Sequence, residues 1–449
     1  MIRFRLSEFA TVLDCEPPET DVSVESIVSD SRKVHYGALF AALPGSQTDG
    51  HDYAESAMKL GAVALLVKHR LDLDIPQLVV TDVLEALGTL ARQVRDRIDP
   101  VVVGITGSNG KTSVKEMLAS ILRLVDEVLA TQGNYNNELG LPLSLFALEP
   151  KHGYAVLEMG ASKVGDIAYL AGIARPDVGL VTNIGPAHLE GFGDEEGVAR
   201  AKGELFSALP SKGWAIINAD EPWLKHWLEQ STAGHTLTFG TSKDSDIQLK
   251  DQDEKTIIVT PNGSFEVNLA LPGQHNLINA AAATAAALAL QIPLDVIRKG
   301  LESMQPVPGR LNLLSTAAGW TVIDDTYNAN PASLYSALQV LATMQGKSWL
   351  VLGDMKELGE NSRKMHIEVG DAARAMGVSR IFATGEMSVY TVDAFGEGAT
   401  HYPDKETLVE ALRAELRPGV NCLVKGSRSM GMEAVVQAIM RNSGMRQAS

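Results

Sequence analysis

The sequence predicts an α/β protein of three domains: a small N-terminal α/β unit, a central parallel sheet carrying a phosphate loop, and a C-terminal Rossmann-like sheet. Three observations lead there. The chain has 449 residues, well past the size at which one hydrophobic core stops growing. Apolar strand-length runs alternate with helical patterns through most of it, the signature of parallel sheets. A stretch with two prolines and a glycine, "PVPGRLNLL" at 306–314, interrupts the alternation and reads as a linker. These place the domains at 1–85, 86–312 and 313–449.

In chain order, "SVESIVSDSRKV", "GALFAAL", "DYAESAMKLGAVALLV" and "QLVVTD" give short strands with helices between them. A helical link, "VLEALGTLARQVRDR", leads to "VVVGIT", whose unbroken apolar run suits a strand buried on both faces. The helix expected at 111–124 lines up Val114, Met117, Leu118, Ile121 and Leu122 at spacings of three and four. Further buried strands follow at 154–159, 177–184 and 214–220. "LINAAAATAAALALQIPL" (277–294) is nearly uncharged, but alanine is weakly apolar and Asn279, Thr284 and Gln291 interrupt it, so a buried helix is expected rather than a membrane span. The last third repeats the pattern: strand "WTVIDDTY", a helix from Pro331, strand "SWLVLGDM", a helix at 362–376, strands "RIFATGE" and "NCLVKGS", and a helix at 430–441.

Composition narrows the function classes. The formal charge of −16 argues against nucleic-acid binding, which favours clustered Lys and Arg. Cys15 and Cys422 stand far apart in no metal or redox spacing, which predicts a reducing, cytoplasmic setting without disulfides. The N-terminal "MIRFRLSEFATVLDCEPP" lacks the apolar core of a signal peptide.

The chemistry gathers around "VVVGITGSNGKTSVKEML" (101–118). It ends like a phosphate loop in Gly110-Lys111-Thr112, yet Ile105 stands where the usual pattern has its first glycine, and the glycines fall at 104 and 107. A strand ending in a glycine-rich turn that opens a helix offers backbone N–H groups and a positive helix end to an anion. Lys111 has the reach for outer phosphates and the Thr112 hydroxyl can ligate Mg²⁺. Glu158 lies at the carboxyl end of a strand, the edge where α/β sheets bind ligands. His188 follows another strand and Lys202 sits on the next helix. Each has a bland use as well, as a loop partner, a packed histidine or a solvated lysine. "TQGNYNNELGLPLS" (131–144) clusters asparagines that suit either turn capping or recognition of a sugar or peptide. "GQHNLINA", "GR" (309–310) and "DDTYNANP" (324–331) complete the set.

In this order, "TGSNGKTS", "TQGNYNNELGLP", "EMGAS", "NIGPAHLEGFG", "AKGELF", "GQHNLINA", "GR" and "DDTYNANP" resemble the Mur ligase family. The shifted glycine at 107 is then the family's own form of the loop. "SDSRKVHYGALFAALPGSQTDGHDY", "LGDMKELG" and "KGSRSMGME" look most like the member that joins D-alanyl-D-alanine to UDP-N-acetylmuramoyl-tripeptide. The resemblance implies ATP-driven amide formation through an acyl phosphate in the cytoplasmic stage of peptidoglycan synthesis. It implies that Gly107, Ser108, Asn109, Gly110, Lys111, Thr112 and Ser113 hold the ATP phosphates, with Thr112 on one Mg²⁺. Glu158 and His188 match ligands of a second Mg²⁺, and Lys202 matches a lysine carrying a carbamate. Lys111, Glu158, His188 and Lys202 are the implied catalytic set. Asn279 resembles an adenine contact, Arg310 a phosphate contact and Asp325 a ribose contact. Some relatives place a lysine where this chain has Tyr327, which suggests base stacking here. Ser31, Arg32 and Asp49 would bind the UDP end, Asn134, Asn136 and Asn137 the sugar-peptide, and Lys425, Ser427 and Arg428 the dipeptide carboxylate. A monomer with only small-molecule substrates is expected.

The nearest rival is the family member that adds the third amino acid. Its diaminopimelate-adding forms carry Asp-x-Pro-Arg, where this chain has "LGDMKELGENSRKMH". Folylpolyglutamate synthetase is a more distant rival, disfavoured by the UDP-type first domain. A nucleotide-binding regulator without activity would be expected to lack Glu158, His188 and Lys202.

Overall fold

The computed structural model describes residues 3–45, 48–186, 189–252 and 255–441. Near its N-terminus four short parallel strands hydrogen-bond in sequence order: Ser26–Val28, Ala38–Ala41, Ala62–Val67 and Gln77–Val79. The helix Val83–Ile98 follows, its N-terminus capped by the Asp82 carboxylate, which accepts from the Leu84 and Glu85 N–H groups. The domain boundary expected at residue 85 therefore falls inside a helix. That helix packs both ways: one apolar cluster contains Leu66 and Leu78 of the first sheet, Leu87 and Leu90 of the helix, and Leu157 and Ile167 of the next domain. Because its stripe serves two cores, composition does not change where the domains meet.

Among the described residues the central sheet has nine strands. Its order is Glu127–Ala130, His152–Glu158, Val101–Thr106, Val178–Val181, Trp214–Asn218, His235–Gly240, Ile247–Gln252, Lys255–Thr260 and Gly263–Glu266. The first seven run parallel and the last two turn back as antiparallel strands. Val101–Thr106 lies between Glu158's strand and Val178–Val181, with Ile105 in register with both Glu158 and Leu180. Three carboxyl ends thus meet at one point of the sheet edge. Behind it, helix Lys111–Leu122 packs on Gln274–Ala289, whose alanines are buried nearly throughout. Small side chains let two helices and a sheet approach closely, and this accounts for the apolar run. Among the described residues no helix is long and apolar enough to cross a membrane.

The C-terminal sheet runs Asn312–Ser315, Thr321–Asp325, Val420–Lys425, Lys347–Gly353, Arg380–Thr384 and Ala399–Tyr402, parallel except for its first strand. Asn312 already pairs with Asp324, so the linker ends at Leu311. The helix expected to start at 430 starts at Glu433, because Arg428–Met430 forms a 3₁₀ turn and Gly431 is left-handed at φ +58°.

Candidate active site

The loop after Val101–Thr106 is shaped by what lies against it. Gly107 has φ +145°, and a Cβ there would come within 1.8 Å of Thr182 Oγ1. Gly110 has φ +81°, and its Cβ would meet Asn279 Oδ1 at 2.4 Å. Only glycine fits either place. Thr182 and Asn183, beyond the neighbouring strand, hold the loop from the side. Thr182 Oγ1 donates to Asn109 O at 2.6 Å, and the Asn183 amide both accepts from Asn109 N–H at 2.9 Å and donates to Asn109 O at 3.1 Å. Sequence reading passed over both residues; "VTNIG" reads as a strand end, and only strand order brings it to the loop.

Lys111 opens the helix and donates from Nζ to Gly107 O (2.6 Å) and Ser108 O (3.3 Å). Burial pushes its pKa down, opposed by Glu158 and reinforced by Arg310. Beneath it, Thr112 Oγ1 donates to Glu158 Oε2 at 2.9 Å, and Asn136 Nδ2 donates to Glu158 Oε1 at 2.8 Å. Two sequence candidates thus converge on the acid. Lys202 is buried, and among the described residues its ammonium has no ion pair or hydrogen bond, with only the Phe192 ring at 5.8 Å. Burial first, then Lys111, lowers its pKa well below that of an ordinary lysine. His188 lies outside the described residues.

The last domain closes one side of the site. Arg310 Nη2 donates to Thr112 Oγ1 at 3.2 Å, and Asn330 Nδ2 donates to Asn109 Oδ1 at 2.9 Å. A cavity of about 420 Å³ results, lined by the phosphate loop, Glu158, Lys202, Asn134, Asn136 and Asn137 below and by Arg310, Tyr327, Lys356 and Arg428 above. Lys356 was not among the sequence candidates. A second cavity of about 340 Å³ adjoins it at Asn109, Gly110 and Arg310, lined by Ser113, Asn218, Glu221, His275, Asn276, Asn279 and Asp325. Glu221 Oε1 accepts from Ile184 N–H at 3.1 Å, and burial raises its pKa to about 6.

Several expectations meet different surroundings. Lys425 is buried, with its ammonium bonded to Asp325 Oδ2 and to Asn328 O at 2.9 Å. Ser427 Oγ accepts from Lys356 N–H at 2.7 Å and donates to Ala329 O at 3.3 Å. Both are thus engaged inside the domain, and of the three expected dipeptide contacts only Arg428 lines the larger cavity. Asp325 does line the second cavity, but its Oδ1 also accepts from Leu311 N–H at 3.2 Å. Tyr327 faces the phosphate-loop cavity and Asn279 the second one, separating it from the expected base site. Asn137 caps a turn through Gly140 N–H at 2.9 Å. Ser31, Arg32 and Asp49 belong to the first domain and line neither cavity. Arg32 forks onto Asp30, and Asp49 accepts from the His51 ring at 2.6 Å.

A glycine-shaped phosphate loop, an acid on the adjacent strand and an arginine brought in by the linker to the last domain define a nucleotide-dependent α/β enzyme. Residues 23–95 match the Mur ligase family catalytic domain, 105–287 the Mur ligase middle domain, and 309–428 the Mur ligase glutamate ligase domain. The chain belongs to the Mur ligase family. It is 43% identical to the UDP-N-acetylmuramoyl-tripeptide–D-alanyl-D-alanine ligase of Escherichia coli (strain K12), over 98% of this chain and 99% of that one. It is 34% identical to the enzyme of that name from Bacillus subtilis, over 95% of each. Among solved structures it superposes on MurF from Acinetobacter baumannii with a TM-score of 0.90 at 33% identity, covering 98% of this chain and 100% of that one. The MurF ligase of Thermotoga maritima in complex with ADP gives 0.83 at 32% identity, covering 92% and 96%.

Proposed function

We infer that the protein is an ATP-dependent ligase that joins D-alanyl-D-alanine to UDP-N-acetylmuramoyl-tripeptide, in the cytoplasmic stage of peptidoglycan precursor synthesis. The observation that carries this is the cavity between the phosphate loop and the last domain, which puts Lys111, Glu158, Lys202, Arg310 and Arg428 around one space. Near full-length similarity to ligases of that name supports the choice of substrates.

A carboxylate is a poor electrophile because oxide would have to leave. Transfer of the γ-phosphoryl group of ATP to the terminal carboxylate of the tripeptide supplies a good leaving group. The amine of D-alanyl-D-alanine then attacks the acyl phosphate, and the tetrahedral intermediate collapses with loss of phosphate. In this reading the loop N–H groups and Lys111 hold the phosphates. Arg310 adds positive charge from the opposite wall, and Asn279 reads the base, while the Asn276 amide donates to Pro272 O at 2.7 Å. Asn134 and Asn136 face the sugar-peptide, Ser31, Arg32 and Asp49 hold the UDP end, and Arg428 with Lys356 meets the dipeptide carboxylate. Closure of the last domain keeps water from the acyl phosphate.

Thr112 Oγ1 and Glu158 Oε2 lie 2.9 Å apart on the cavity floor, two oxygen donors of the kind Mg²⁺ prefers. Bound there, Mg²⁺ would offset phosphate charge. By the resemblance, Glu158 also belongs with His188, which lies outside the described residues, and with Lys202 to a second such site. A buried ammonium with no anionic partner fits a cation site poorly, whereas a carbamate on Lys202 turns the same position into an oxygen ligand. Burial disfavours its charged form and so favours the free amine, the form that adds carbon dioxide. Lys202→Ala should lose activity at least about a hundredfold and recover part of it with short carboxylic acids. Full activity of an unmodified lysine, shown by intact mass, would sink the carbamate.

The decisive assay is phosphate release from ATP with UDP-N-acetylmuramoyl-tripeptide, comparing D-alanyl-D-alanine, diaminopimelate, lysine and glutamate as acceptors. Release only with one of the single amino acids overturns the assignment. A monomer is expected in the same solutions.

A further inference from the structure

Arg310 is the one side chain shared by both cavities that comes from the linker between the second and third domains, and its placement is elaborate. On one side Gly309 N–H donates to Asp324 Oδ2 at 3.1 Å; on the other Leu311 N–H donates to Asp325 Oδ1 at 3.2 Å. Gly309 O accepts from Tyr327 N–H at 3.1 Å, and Gly309 is left-handed at φ +74°, where a Cβ would press on Tyr327 at 3.2–3.3 Å. Leu311 is left-handed too, at φ +48°, a costly conformation for a branched side chain. The linker is thus clamped onto the end of strand Thr321–Asp325, and the clamp fixes the backbone of Arg310. Its guanidinium lies over the Tyr327 ring, 4.0 Å from the centroid, and Arg428 approaches the same ring at 5.7 Å. With one face covered, the plane of Arg310 presents its edge to the phosphate loop. Nη2 reaches Thr112, while Nε is buried and has no hydrogen-bond partner among the described residues. An orphaned buried guanidinium N–H beside a phosphate loop is matched by an anionic oxygen.

We propose that Tyr327 is the positioning residue for Arg310: its ring is the platform that holds the guanidinium edge-on to the terminal phosphate as that phosphate is transferred. This rests on the ligase reading for the reaction, but the platform acts on any nucleoside triphosphate bound at the loop. A ring face is needed and a hydroxyl is not. An ammonium at 327 would remove the stack and place a third cation beside Arg310 and Arg428. The alternative role, stacking on the base, belongs to a residue in the other cavity.

The test compares Tyr327→Phe, Tyr327→Leu and Tyr327→Gln by two readouts. The first is binding of ADP and of a non-hydrolysable ATP analogue to the full chain with Mg²⁺, which needs neither peptide nor dipeptide. The second is phosphate release under the ligase assay. The Leu variant should lose about tenfold in kcat with its affinity for ADP nearly unchanged, and should lose its preference for the triphosphate analogue over ADP. The Phe variant should stay within about threefold of wild type in both. The Gln variant serves if Leu at this site does not fold, and should behave as Leu does. Wild-type behaviour of Leu or Gln overturns the platform. So does an equal loss of affinity for ADP and the analogue with kcat retained, which would mean contact with base or ribose, and so does a Phe variant as impaired as Leu. A wild-type protein that shows no release with D-alanyl-D-alanine but keeps the triphosphate preference, lost in Leu, would sink the ligase reading and leave the platform standing.

Discussion

Individual side chains in this site are set by burial and by what each can accept or donate. Glu158 accepts from Thr112 and Asn136 at once, so both oxygens are oriented before any ligand arrives. Lys202 is buried and Lys111 partly so, the charge of Lys111 disfavours that of Lys202, and among the described residues only Lys111 has carbonyls to bond. Glu221 shows the opposite case of a carboxylate whose charge is disfavoured by burial, its pKa raised from an ordinary 4.5 to about 6. A raised folded-state pKa means the native protein holds a proton that the unfolded chain has given up between those values. Its contribution to stability is therefore full below pH 4.5 and lost as pH rises through 6. Glu221→Gln keeps an acceptor for Ile184 N–H and removes the titration. Urea unfolding should find the Gln variant more stable than wild type at pH 7.5 by up to about 1 kcal/mol, given partial contact with water, with the gap closing by pH 5. A constant gap across that range would refute the account.

At the scale of elements, period and punctuation in the sequence were good guides wherever one element packs on one neighbour. The phosphate-loop helix has its expected stripe, with Val114, Met117, Leu118, Ile121 and Leu122 all buried. The helix from Pro331 begins there because Asn330 caps it and proline suits its first turn. Elements that close a sheet's edge were harder. The hairpin Lys255–Thr260 to Gly263–Glu266 and the strand Ala399–Tyr402 are short and partly exposed, and they carry apolar runs of at most three residues, Ile257 to Val259. The helix Val83–Ile98 is legible in its sequence, but its part as a shared wall of two cores is not. Its cap gives a local test: Asp82→Ala should cost about 1 kcal/mol, seen as roughly fivefold faster amide exchange at Leu84 and Glu85, with phosphate release unchanged. Unaltered exchange there would show that the cap does not hold the helix end.

Over the whole molecule, the larger cavity exists because two domains meet. Arg310 on Thr112 and Asn330 on Asn109 are single hydrogen bonds across that boundary, and the linker behind them is held by Asp324 and Asp325 rather than by a broad apolar interface. Such a joint suits opening and closing about a hinge. Solution scattering should show the radius of gyration falling by roughly 1–2 Å when an ATP analogue and the nucleotide-linked tripeptide are both present. Asn330→Ala, which removes one cross-boundary bond and a helix cap, should weaken that response. An unchanged radius with both ligands would argue against closure.

The amino-acid sequence by itself determined the α/β alternation, the glycine-shaped loop with its Lys-Thr, the acid Glu158 at a strand end and the resemblance to a ligase family. These depend on local pattern, on residues whose neighbours in space are also neighbours in sequence. Only the tertiary structure decided which polar groups are spent and which are free. It paired Lys425 with Asp325, gave Ser427 to the Lys356 backbone, brought Thr182 and Asn183 against the loop, and slid Tyr327 under Arg310. The physical reason is that a side chain's availability is fixed by the partners it meets when buried, and those partners come from strands and domains far apart along the chain.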